Sequence, residues 1–166
     1  MKNKLLFTSI VILTIVSLTS CVGQKSIAGN YTYKTECLGT ELDGSVTLKA
    51  WGNGRNRVDA VEQAKKNGTR DVLFSGITEG KSDCNRAPLL LELNAQTKYE
   101  DYFNVFFADG GEYKNFVSLR DERIFDKISR DKKGARESVT HGIVLRVLRS
   151  ELKQKLIKDG IIKSNK

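Results

Sequence analysis

Histidine, proline, methionine and tryptophan each occur once in these 166 residues, and cysteine three times. Each scarcity closes a class of function. With one imidazole, His141, and no Cys-x-x-Cys, no ligands stand at metal-site spacing, so neither metal nor cofactor is expected. No Gly-x-Ser-x-Gly appears, so the exposed serine turn of the α/β-hydrolases is missing. There is no internal repeat and no low-complexity segment. The longest apolar stretch, Leu5 to Leu18, carries Thr8, Ser9, Thr14 and Ser17 and falls short of the about 20 residues that a membrane-crossing helix needs.

That stretch has a different reading. Lys2 and Lys4 precede it and Leu18-Thr19-Ser20-Cys21 closes it, which is the layout of a secretory signal peptide. Leu, two small residues and Cys resemble the lipobox of bacterial lipoproteins. The resemblance implies cleavage before Cys21 and a diacylglycerol on its sulfur, with further acylation of the new amino terminus. Two or three buried acyl chains hold a protein to a membrane stably, whereas one holds it marginally. The plainer alternative is an ordinary secretory signal with an incidental cysteine. The expected organisation is a signal peptide over 1–20, a lipidated cysteine and tether over 21–29, and one domain over 30–166. No acidic cluster follows Cys21. Some bacterial groups use such a cluster for surface display, so an outer-membrane anchor facing the periplasm is expected.

The formal charge is +8, and +6 without Lys2 and Lys4. For an exported protein this fits solubility or contact with anionic envelope surfaces; a nucleic-acid partner is not expected. If Cys21 carries lipid, Cys37 and Cys84 remain in an oxidising space, where a disulfide is the economical reading. The alternative is a pair of free buried thiols.

Periodicity gives the elements. Tyr31, Tyr33 and Thr35 alternate with Thr32, Lys34 and Glu36, a strand running to Leu38. Gly39 to Gly44 reads as a turn, and Ser45 to Trp51 as the returning strand of a hairpin. Val58, Val61, Ala64, Gly68 and Val72 make a narrow helical stripe over 57–74. Residues 75–88 are a loop, and Leu89 to Leu93 reads as a short strand. Thr97-x-x-Glu100 has capping-box form before a helix carrying Tyr99, Tyr102, Phe103, Phe106 and Phe107, which should stop near Gly110 and Gly111. Residues 112–122 carry no clear signal. A second hairpin, Ile124 to Arg130 and Ser138 to Leu148, turns at Lys132-Lys133-Gly134. Val144 and Leu148 make the last strand's second face partly apolar, as in an interior strand. Ser150 can cap a final helix over 151–159, which Gly160 would stop. The order β-β-α-(β)-α-β-β-α predicts an α+β domain: an antiparallel sheet of about four to five strands with about three helices.

The stretch Gly52-Asn53-Gly54 resembles a phosphate-binding turn, because a strand precedes it and a helix follows. A dinucleotide fingerprint needs a third small residue where Arg57 stands, and a P-loop needs Gly-Lys-Ser or Gly-Lys-Thr. Both fail. Two readings remain. In one, Arg55 and Arg57 beside the helix N-terminus hold an anion. In the other, Gly54 takes a special turn conformation and Asn56 caps the helix. His141 lies on an apolar-alternating strand face, where a lone histidine is more often buried or at an interface than a base. Glu100-Asp101 and Asp121-Glu122 read as solvated pairs, because adjacent helical residues do not face each other. The aromatic stripe 99–107 reads as core, with a partner groove as the alternative.

"KAWGNGRNR" followed by "DAVEQAKKNGTRDVLF", with the C-terminal strand and helix, resembles the N-terminal domain of the flagellar-assembly protein FlgT and related small envelope lipoproteins. That resemblance covers about a third of the chain and carries over no functional residue. It implies an α+β domain with a structural role: a non-enzymatic, membrane-anchored accessory of an envelope assembly with a protein partner. The alternative is a lipoprotein that captures a small anion or glycan fragment.

Overall fold

A computed structural model describes residues 33–119, 124–131 and 138–163, and for 124–131 the strand pairing alone. Cys21 and the lipobox lie outside the described residues, as do Tyr31, Asp121, Glu122 and the Lys132-Lys133-Gly134 turn.

The fold is α+β, built on one mixed six-stranded sheet. The strands are β1 (Glu36–Thr40), β2 (Val46–Gly54), β3 (Glu79–Gly80), β4 (Val117–Ser118), β5 (Ile124–Asp131) and β6 (Ser138–Val147). The order is β3-β1-β2-β6, with β4 and β5 both pairing β6. Every pair is antiparallel except β1 with β3, a two-residue parallel edge that the sequence reading did not contain. β2 and β6 are the centre, in register from Val46↔Val147 to Gly54↔Val139. β6 is buried on both faces through its middle, as its apolar second face predicts.

The helix α1 (Arg57–Arg70) lies across β2 and β6. Asn56 caps it: the Asn56 Oδ1 accepts from the Asp59 N–H at 3.0 Å. Strand alternation turns Val46, Leu48, Ala50 and Gly52 toward α1, and Thr47, Lys49, Trp51 and Asn53 the other way. The contact is close because the residues meeting there are small. A Cβ on Gly52 would lie 2.1 Å from the Ala60 carbonyl oxygen and 2.3 Å from the Ala64 nitrogen. Gly68 on the helix has the Ala50 methyl 3.2 Å from where its own Cβ would be. Gly54 is not a special turn residue: its φ lies outside the left-handed region, and it is needed because a Cβ would come within 2.4 Å of the Ala60 nitrogen. The Gly-x-Gly is therefore where a helix is seated on a sheet.

Several elements differ from the pattern. The first strand begins at Glu36, because Thr35 hydrogen-bonds to Asp71 and Tyr33 stacks on Trp51, which takes 33–35 out of the ladder. The long helix stops at Arg70 and continues as a π-helical turn, Asp71–Ser75. Leu89 to Leu93 forms no strand. Its first two N–H groups instead satisfy carbonyls at the end of that helix, Leu89 to Val72 and Leu90 to Leu73, both at 2.9 Å. The capping box does not form: Thr97 lies inside the short helix α2 (Ala95–Lys98), the helical path is interrupted at Tyr99, and α3 (Glu100–Phe106) starts without a side-chain cap. Ser150 lies inside α4 (Arg149–Lys158) and does not cap it, because β6 runs directly into the helix at Leu148, whose N–H is taken by the Phe116 carbonyl. Gly160 does stop α4, at φ 75°.

The core is continuous from the sheet through α1 to the aromatic helix. Leu48, Leu73, Ile143, Leu145, Tyr113, Leu152 and Leu156 are fully buried. Phe103, Phe106 and Phe107 join them, with Phe74 edge-on to Phe103 at 4.7 Å. The aromatic stripe is core, as its spacing suggests. Cys37 and Cys84 form a disulfide with Cα atoms 6.3 Å apart, tying β1 to the 81–88 loop.

Candidate functional site

The most chemically varied surface lies at the C-terminal end of α1. β1 pairs with β2 only as far as Glu36↔Lys49, so the edge of β2 at Trp51 is met by side chains instead of a strand. Asn67 Nδ2 donates to the Trp51 carbonyl at 2.8 Å, and its own oxygen accepts from Gln63 at 2.9 Å. The Trp51 indole lies across Gly142 on β6, where a Cβ would be 2.5 Å from the ring. Tyr33 stacks on it at 4.7 Å, and Lys49 Nζ lies 4.9 Å from the ring centroid.

Next to this aromatic pair is an open depression of about 320 Å³, walled by Tyr33, Trp51, Asn67, Arg70, Asp71 and Gln96. A second, of about 180 Å³, continues from it over Gln96, Glu100, Phe103, Asn104 and Phe107. Arg70, Phe74 and Gln96 belong to both, so the two adjoin along these residues as one groove.

Arg70 is held against an aromatic ring. Its guanidinium carbon is 4.7 Å from the Phe107 ring centroid, a cation–π contact. Its Nε is buried with no hydrogen-bond partner, and no described carboxylate forms an ion pair with it. Other cations on α1 are engaged: Lys65 with Glu62 at 2.7 Å and Lys66 with Asp109 at 2.9 Å. The Arg70 Nε is closed to solvent, whereas the terminal guanidinium nitrogens are not buried and carry no described hydrogen bond, so they are the donors that a ligand acceptor can reach. Asp71 adjoins Arg70 with the opposite property. Burial raises its affinity for a proton, and the hydrogen bond from Thr35 only partly offsets this.

The residues singled out in the sequence lie elsewhere. Arg55 is exposed and pairs with Asp59 at 3.1 Å, and Arg57 is exposed on the first turn of α1. Neither lines the groove. His141 is buried in β6 opposite Gly52. Of the carboxylate pairs, Glu100 lines the smaller depression, and Glu100 and Asp101 are both exposed. Sequence reasoning missed Arg70, Asp71 and Asn67. One signal was present: Trp51 shares its strand face with the polar residues Thr47, Lys49 and Asn53, and a tryptophan on that face has a use other than core.

A second cluster is structural. Glu62 receives the hydroxyl of fully buried Tyr113 at 2.8 Å, Lys65 at 2.7 Å and Lys114 at 3.3 Å. Burial pushes the Glu62 carboxyl up, but those hydrogen bonds outweigh it and hold the group at about 2. A depressed carboxylate stabilises the fold above its unfolded value and loses that contribution as pH falls through the folded one. Stability should therefore fall between about pH 4.5 and about pH 2, by roughly 1–2 kcal/mol after screening of this partly exposed group. Tyr113→Phe should cost about 1 kcal/mol at pH 7 and shrink the acid-induced loss. Urea midpoints at pH 7 and pH 2.5 would check both; an equal loss in the two proteins would exclude Glu62 as its source.

Fold and groove together define an α+β domain with a polar, aromatic-walled cleft. No known protein family, curated protein or solved structure matches the chain. Among the described residues no helix is long and apolar enough to cross a membrane.

Proposed function

We propose that this is a non-enzymatic, lipid-anchored protein of the bacterial cell envelope whose work is binding, as an accessory of an envelope assembly. Cys21 carries the anchor in this reading, and the protein faces the periplasm from the outer membrane. The observation that carries the binding role is the groove, which is lined by a guanidinium with no ion-pair partner among the described residues, a carboxylate, amides and aromatic side chains. The Cys37–Cys84 bond supports an oxidising compartment, and the likeness of 45–77 to envelope-assembly domains supports an accessory role.

Two measurements on the full-length protein test this. Cys21→Ser should move it from the membrane fraction to the soluble fraction; retention in the membrane would exclude the lipid anchor. A photocrosslinker at exposed Asn104 should capture one specific envelope protein. Capture of background proteins alone would count against the assembly role.

Capture of a small anion or glycan fragment is the second reading. Arg55 and Arg57 were its sequence basis. Arg70, which lines both depressions, favours it over a featureless protein-docking face.

A further inference from the structure

We infer that the Arg70 groove binds a neutral, hydroxyl-rich ligand, a short glycan, laid across both depressions. This rests on the second reading above, that the groove takes a small ligand, and it chooses between the two chemistries of that reading.

The charge pattern argues against a simple anion. The two depressions are lined by one cation, Arg70, against two carboxylates, Asp71 and Glu100. The lysines beyond Tyr33 and Trp51 add no free positive charge, because Lys34 pairs with Glu79 at 3.1 Å and Lys49 with Glu36 at 3.7 Å. A phosphate or carboxylate drawn to Arg70 would meet Asp71 on the same wall. An apolar ligand fits no better: it would bury the terminal guanidinium nitrogens of Arg70 with nothing to bond.

A sugar meets both demands. Each hydroxyl donates and accepts, so it can accept from a terminal N–H of the Arg70 guanidinium and give its own proton to Asp71. Gln96 and Asn104 offer both functions on their amides, and both are exposed at the rim. The C–H face of a pyranose is apolar and needs a flat partner; Tyr33, stacked on Trp51, walls one end of the groove, and Phe74 lines both depressions. The Arg70 guanidinium, held against Phe107, carries paired donors in one plane, which suits two adjacent hydroxyls.

The chain's single tryptophan is Trp51, so its fluorescence reads the groove directly. Full-length protein in detergent micelles would be titrated with maltotriose, cellotriose, mannotriose and chitotriose, and with trigalacturonate and inorganic phosphate. At least one neutral trisaccharide should shift the emission saturably, and at least tenfold more tightly than trigalacturonate or phosphate. Arg70→Gln and Gln96→Ala should each weaken that binding, Arg70→Gln by about tenfold or more. Gln96 is exposed, so its variant tests the site without a folding risk. Tighter binding of trigalacturonate or phosphate would overturn the neutral-glycan inference and leave a ligand groove standing. Neutral binding unchanged in both variants would also overturn it, by placing the site elsewhere. No saturable response to any probe, by fluorescence or calorimetry, would overturn the inference and the small-ligand reading together.

Discussion

Alanine at position 52 should destabilise the domain by about 3 kcal/mol or more, or leave no folded protein, although the change adds one methyl group to a strand. The reason is the kind of atom that methyl would meet. The Ala60 oxygen at 2.1 Å, the Ala64 nitrogen at 2.3 Å and the Ala64 Cα at 2.9 Å are all backbone atoms of α1, and none can rotate away. The helix would have to lift off the sheet, losing the seat of Ala60, Ala64 and Gly68 over Ala50 and Leu145. Gly142 is a useful contrast, since the three atoms nearest its added Cβ all belong to the Trp51 ring, a side chain and not backbone. Gly39 is the control: nothing lies within 4 Å of its Cβ position, and Gly39→Ala should stay within about 0.5 kcal/mol. Urea denaturation of the three variants would rank them. A loss under about 1 kcal/mol for Gly52→Ala would mean that α1 is not seated as described.

Removing the disulfide should have an effect of similar size. Cys37 and Cys84 are 47 residues apart in sequence, and closing such a loop in the unfolded chain contributes about 4 kcal/mol in the chain-entropy model. The folded state has little to put in its place. The 81–88 loop is otherwise tied to β1 by the Lys81 N–H to the Cys37 carbonyl at 3.0 Å and the Asn85 N–H to the Thr40 hydroxyl at 3.3 Å. Both sulfurs are buried, so a Cys37→Ala, Cys84→Ala double variant avoids leaving a polar group in the core. Its melting temperature and urea midpoint should both drop well below those of the oxidised protein. Matching curves would mean that the bond constrains nothing that unfolds. The same variant expressed without export should behave like the reduced wild type.

The sequence was legible where one local pattern decided the outcome. Alternation in 45–51 and 138–147 became the paired central strands, and Asn56 capped the helix that its position announces. It was less legible where distant groups competed for a backbone. Leu89 to Leu93 has a strand's composition, but its N–H groups were claimed by the open carbonyls at the end of the π-helical turn. Thr97 and Ser150 have capping chemistry, yet one fell inside a short helix and the other followed a strand that ran straight into its helix. Val117–Ser118 became a strand only because β6 offered an edge.

The candidate site divides in the same way. Sequence by itself determined the α+β class, the small-residue seam of α1 and a cysteine pair available for bonding. These depend on residue type and spacing along one segment. Tertiary structure alone decided that the two cysteines meet and that Gly52 and Gly54 serve helix seating. It also decided that Arg70, not Arg55 or Arg57, faces a groove. Tyr33, Trp51, Arg70 and Gln96 are remote in sequence, and no period links them. Their proximity follows from where β1 leaves β2 and where α1 ends, and those points are set by packing across the whole sheet.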